Sequence, residues 1–143
     1  AAIRAIAERF APVALRESRS KAESKKIWLG RKSAFGAMGQ INDYICLDGT
    51  IPVSELPRVL ARIAGLAAGH GLSVANVFHA GDGNMHPLIL YNANTPGDLE
   101  KAEALGADIL TLCVEVGGCL TGEHGVGVEK RDLMPVQFAP EDM

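Results

Sequence analysis

Three of the four histidines in this 143-residue sequence stand in two short runs of ligand and proton-transfer side chains separated by glycine. The first run is Phe78-His79-Ala80-Gly81-Asp82-Gly83-Asn84-Met85-His86. Asp-Gly between two β-forming stretches signals a hairpin. With Asp82-Gly83 as a two-residue loop, 81 pairs with 84, 80 with 85 and 79 with 86, so His79 and His86 stand opposite each other. Cross-strand partners on one face have Cβ atoms about 5 Å apart, which suits two imidazoles converging on one metal ion at about 2.1 Å per bond. The second run is Thr121-Gly122-Glu123-His124-Gly125-Val126-Gly127. Glycine on both sides of Glu123 and His124 frees the backbone to approach a ligand closely. The glycines match neither G-x-x-x-x-G-K nor a strand-following G-x-G-x-x-G, so neither phosphate-cradle motif is met.

The elements that must position these residues can be read from periodicity. Residues Tyr44 to Leu47, Leu72 to His79 and Met85 to Tyr91 are strand candidates. Ser54 caps a helix with Leu56, Val59, Leu60, Ile63, Leu66 and Ala67 on one face, and Gly69 and Gly71 stop it. Thr95-Pro96 starts a second helix through Leu99, Ala102, Leu105, Ile109, Leu112, Cys113 and Val116. The first forty residues read as helical with a break at Pro12, and a last helix is expected from about Val128 into Phe138. The order strand, helix, hairpin, helix predicts an α+β fold: a ferredoxin-like split β-α-β core, an antiparallel sheet with helices packed on one face, and extra N- and C-terminal helices. A seven-residue strand descends about 23 Å from the turn, and a helix of about twenty residues climbs back about 30 Å. The glycine-rich run therefore returns beside the hairpin turn. Two imidazoles and a carboxylate would serve a divalent metal there, with one imidazole to spare.

Composition narrows the function classes. The chain carries 14 Lys+Arg against 17 Asp+Glu, net −3, and is 48% hydrophobic, which describes one domain over 1–143 with 1–27 as a helical lead-in. No basic cluster exceeds Lys25-Lys26 or Lys130-Arg131, both read as surface pairs, so nucleic acid is not an expected partner. No apolar run approaches the roughly 20 residues of a membrane span. No secretory leader is recognisable, and three cysteines without a C-x-x-C pair suggest reduced, inert, buried thiols in a cytoplasm. A chain opening on Ala reads as an excised piece. His70 reads as a surface or capping residue, Trp28 as core, Asp82 as a turn former and Arg31 as an exposed helix charge.

The runs Trp28-Leu29-Gly30-Arg31-Lys32, Asp48-Gly49-Thr50-Ile51-Pro52, Val74 to Leu90, Gly117 to Arg131 and Asp132-Leu133-Met134 closely resemble the C-terminal domain of FAD-linked 2-hydroxy-acid oxidases, over about Trp28 to Met143. The group includes bacterial glycolate oxidase and the D-lactate and D-2-hydroxyglutarate dehydrogenases. The resemblance implies that an FAD-binding domain, absent from this sequence, holds the flavin while this domain caps it and supplies the substrate site. It further implies His79, His86 and Glu123 as ligands of a divalent metal, zinc or manganese, His124 as the base near the flavin, and Arg31 as a partner of the substrate carboxylate. Two positions depart from the pattern. Gln40 stands where the glycolate-oxidase type has Arg, and Cys46 where 2-hydroxyglutarate-type relatives have Lys, which favours a small monocarboxylate.

The expected function is thus the substrate part of a flavin-dependent dehydrogenase or oxidase acting on glycolate or D-lactate, inactive without its FAD domain. Iron–sulfur electron-transfer subunits are expected partners, with a cytoplasmic location, peripheral to the inner membrane through them. Two other classes compete: a stand-alone metal-dependent hydrolase or lyase using the same His, His and Glu set, and a non-catalytic interaction domain.

Overall fold

The structure is a computed structural model that describes residues 2–143. The chain divides into two compact units, Ala1–Ala34 and Phe35–Met143. The first holds α1 (Ala2–Glu8) and α2 (Lys21–Lys32), separated by an irregular stretch that contains the anticipated break at Pro12. Ser20 caps α2 by accepting from Glu23 N–H at 3.1 Å, while the Glu23 carboxylate accepts from Arg19 N–H at 2.8 Å. This reciprocal pairing satisfies donors that a helix start leaves open. Trp28 on α2 is exposed, so the core role expected for it is corrected.

The second unit begins with the end of α3 (Ala34–Met38) and continues through β1 (Asp43–Cys46), β2 (Gly49–Thr50), α4 (Leu56–His70), β3 (Ser73–His79), β4 (Asn84–Tyr91), α5 (Asp98–Glu115) and α6 (Met134–Gln137). The sheet is antiparallel and four-stranded. β4 is its centre, with β3 along one side and β1 and β2 end to end along the other. After α5 the chain returns to the far side of β2, where Thr50 and Cys119 exchange both backbone bonds at 3.0 Å. Strand, helix, strand, strand, helix and a rudimentary edge strand make up the split β-α-β arrangement expected from sequence.

Side chains alternate across a strand, and here the alternation separates core from site. Met85 and Ile89 of β4 and Leu47, which follows β1, join Val59 and Ile63 of α4 and Leu105, Ile109 and Leu112 of α5 in one buried cluster. His86, Asn84 and Leu88 point to the opposite face. Burying the apolar face beneath α4 and α5 is what fixes the register.

Several local expectations are corrected. The hairpin loop has four residues, 80–83, because β3 and β4 pair His79 with Asn84, Phe78 with Met85 and Val77 with His86. Both Asp82 and Gly83 N–H donate to His79 O, and Gly83, at φ 73°, turns left-handed while its own carbonyl accepts from Ile51 N–H at 2.9 Å. That conformation and contact suit a residue without Cβ. Ser54 does not cap α4: it lies in a 3-10 turn, Val53–Glu55, with Pro57 in the first turn of the helix proper. Helix in the last segment starts only at Arg131 and reaches Gln137 in two short pieces. Cys113 is buried but Cys46 is half-buried and Cys119 exposed, so the thiols are not uniformly interior. No helix is long and apolar enough to cross a membrane among the described residues.

Candidate active site

β4 carries the first of the site residues. The pairing of β1 with β4 continues without a slip into β2, since Cys46 faces Leu88 and Gly49 faces Met85. Between these pairs Leu47 N–H donates to Pro87 O at 3.1 Å. An ordinary residue at 87 would return that bond to Leu47 O, but proline has no N–H. His86 Nδ1 lies 3.1 Å from that carbonyl and fills the place. A carbonyl only accepts, so Nδ1 carries a proton, and in the neutral imidazole the lone pair of Nε2 is free. His86 is buried and its Nε2 lies 3.5 Å from Glu123 Oε2.

His79 sits diagonally across the ladder from His86 on the same face, with ring centroids 5.5 Å apart and planes at 78°. The four-residue loop shifts the pairing by two, an even step, so both imidazoles remain on the face that a two-residue loop would have given them. His124 stacks on the other side of His86, centroids 5.3 Å apart at 23°, and Phe35 approaches His86 edge-on at 6.2 Å. The helix α5 thus delivers the glycine-rich run to the hairpin, and His79, His86, Glu123 and His124 stand together. Arg31 lies in the last turn of α2, in the first unit.

Asp48 anchors the delivered loop, although Asp-Gly has the local chemistry of a turn. Its Oδ2 accepts from Thr121 Oγ1 at 2.9 Å and from the N–H groups of Gly122, Glu123 and His124 at 3.0, 2.8 and 2.6 Å. Burial alone would raise this carboxyl, but the His124 and Glu123 N–H groups, the Thr121 hydroxyl and the Gly122 N–H outweigh it and hold it well below the usual range. Gly122 has to be glycine for space: a Cβ there would meet the Asn84 amide at 2.8 to 2.9 Å. Lys130, read as half of a surface pair, is in fact buried, with Nζ 3.6 Å from Asp48 Oδ2. The buried side-chain atoms without a hydrogen-bond partner among the described residues are Asp48 Oδ1, Asn84 Oδ1 and Lys130 Nζ. A cavity of about 760 Å³ lies against His124, Lys130, Cys46 and Leu47, with Leu110 of α5 on its wall.

The sequence marks two places where the strand pattern breaks. Asp48-Gly49 ends a β-forming run and His86-Pro87 interrupts another, and a proline in a central strand marks a place where the ladder bond is replaced.

Residues 1–143 match the family described as FAD linked oxidases, C-terminal domain. The chain belongs to that family. Among the relatives of this FAD-linked oxidase domain, glycolate oxidase subunit GlcD of Escherichia coli strain K12 is 55% identical over 130 residues, 90% of this chain and 26% of that protein. GlcD of Bacillus subtilis strain 168 is 31% identical over 140 residues, 97% of this chain and 30% of that protein. The mitochondrial D-lactate dehydrogenase [cytochrome] of Kluyveromyces lactis is 34% identical over 87 residues, 61% of this chain and 15% of that protein. The FAD-linked oxidase domain described here therefore spans less than a third of each of these relatives.

Proposed function

We propose that this domain is the substrate-handling part of a flavin-dependent 2-hydroxy-acid dehydrogenase or oxidase, which converts glycolate or D-lactate into the 2-oxo acid. Family membership supports the flavin, and the names of the relatives support the substrate class. The observation that carries the reading is the gathering of two imidazoles, a carboxylate and a further imidazole at one end of the sheet.

The donor set fits a divalent cation. One ligand atom from each of His79, His86 and Glu123 lies within 4.8 Å of the others. With Nδ1–H given to Leu47 O, the Nε2 of a neutral His86 is an acceptor facing another acceptor, Glu123 Oε2, at 3.5 Å. Two lone pairs that approach each other so closely are what a shared cation between them requires. Asp48, His86 and His124 form an overlapping group, but there Asp48 Oδ1 faces His86 Nδ1 at 3.9 Å, the nitrogen whose proton goes to Leu47 O, which favours the first set.

When bound, a divalent ion at His79, His86 and Glu123 supplies Lewis acidity that lowers the pKa of a substrate hydroxyl, and FAD supplies the hydride acceptor. His124 would accept the proton of the substrate hydroxyl. The Asp48 carboxylate, through the His124 N–H, fixes the backbone from which that imidazole projects. We assign the substrate carboxylate to Arg31 through a bidentate contact, an assignment carried by the resemblance. The cavity beside His124 is ample for a small hydroxy acid.

Elemental analysis of the complete flavoprotein is expected to find about one divalent ion per chain. Chelation is expected to abolish turnover, zinc or manganese to restore it, and His79→Ala or Glu123→Ala to remove the ion. Full turnover from metal-free protein would overturn the ligand assignment.

A further inference from the structure

The geometry points to Lys130 and Asp48 as a buried charge pair that latches the Glu123-His124 loop onto the sheet, with Lys130 as a positioning residue that acts through Asp48. It rests on the reading above only in taking Glu123 and His124 as the side chains whose placement matters.

Four donors from four consecutive residues, 121–124, converge on one carboxylate oxygen. Backbone donors point this way only if the loop curls around the oxygen, so the carboxylate defines the loop's shape. The Asp48 backbone takes part as well, its carbonyl accepting from Gly122 N–H at 2.9 Å. The loop donors keep the fully buried Asp48 ionised, and where a second buried charge stands beside such a carboxylate, removing either member strands the other. Lys130 is the cation within reach. Its Nζ is 3.6 Å from Oδ2, its side chain is 5% exposed, and it makes no hydrogen bond. An ammonium group that gave its hydrogen bonds elsewhere would have a separate reason for being buried. This one has only its charge to offer Asp48.

The loop is otherwise lightly held. Leu120 N–H donates to Gln137 Oε1 at 2.8 Å, Thr121 Oγ1 lies 3.1 Å from Gly125 O, which can only share the one hydroxyl hydrogen given to Asp48, and neither contact reaches Glu123 or His124. Side-chain exposure of Glu123 is 57%. Burial does not hold that side chain in place, so its aim toward His86 depends on its backbone. The latch therefore sets the loop that bears one proposed ligand and the proposed base.

Amide hydrogen exchange in the full chain tests this. In Lys130→Met, exchange at Gly122, Glu123 and His124 is expected to accelerate about tenfold or more, the scale of a lost charge-assisted bond, relative to reference amides at Val77 and Ile89. Lys130→Arg, which keeps the charge, should restore most of the protection. Zn²⁺ affinity measured by titration should fall with Lys130→Met although His79, His86 and Glu123 are intact. Loop and reference amides changing together, or no change in the loop, would overturn the latch. If the parent chain binds no Zn²⁺, the metal reading fails and the exchange comparison still decides the latch. Should Lys130→Met not fold, Asp48→Asn/Lys130→Met leaves no stranded charge. Fast exchange confined to 121–124 is then expected, and uniform exchange would contradict the proposal.

Discussion

Asp48 Oδ2 and Leu47 O, neighbours in sequence, determine how the loop and His86 are presented to the rest of the site. Asp48 was not legible as an anchor because the groups it binds lie 73 to 76 residues further on. Locally, Asp-Gly has the chemistry of a turn. Lys130 was illegible for a related reason, since nothing within a few residues of it betrays a buried carboxylate. Histidines 79, 86 and 124 and Glu123 were legible because their types and glycine spacing are uncommon in plain turns. Among the cysteines, burial raises the Cys113 thiol from 9.0 to about 12 and, with the Asp48 charge, also raises Cys46. Titration of the folded chain with Ellman's reagent near pH 8 should modify exposed Cys119 quickly, Cys46 slowly and Cys113 only after denaturation. Equal rates would contradict the burial described. The sign for stability follows: the Cys113 contribution is complete below the ordinary thiol value and declines as pH rises from 9.0 toward about 12.

The β3–β4 hairpin shows what a sequence can and cannot specify about an element. Alternation gave the faces of both strands correctly, while the loop came out two residues longer than Asp82-Gly83 suggested because Gly83 is engaged by Ile51. An even error leaves every side chain on its expected face, which is why the two histidines still converge. α5 was legible from its long apolar period, and its length accounts for the return of the glycine-rich run. The final helix was over-extended because Val128 and Glu129 suit a helix but follow Gly125 and Gly127, both with positive φ. Pro87 makes β4 more than a carrier. In Pro87→Ala the restored N–H competes for Leu47 O, so the ring ¹⁵N shifts of His86 should move from a pure Nδ1–H tautomer toward a mixture. Divalent-ion affinity should weaken with it, by about 10- to 100-fold, the scale of losing a ligand's supporting partner. Unchanged ring shifts would show that the proline does not set the tautomer.

Over the whole molecule, the split β-α-β core divides its labour between the two faces of one sheet. One face is buried under α4 and α5, and the other bears His86 and its neighbours. Fold class was legible from the order of elements, and family from the two histidine-bearing runs. The division of the chain at residues 34 and 35 was not, because the helical pattern that begins near Ile27 runs on to Met38 and conceals it. In the proposed reaction His124 takes the proton when a 2-hydroxy acid reduces the flavin. Anaerobic stopped-flow mixing of the complete flavoprotein with glycolate or D-lactate, followed by flavin absorbance, tests this directly. His124→Ala should keep its FAD and its divalent ion and slow flavin reduction by about 10² to 10⁴, the usual contribution of a general base. Reduction at close to the parent rate would contradict the account.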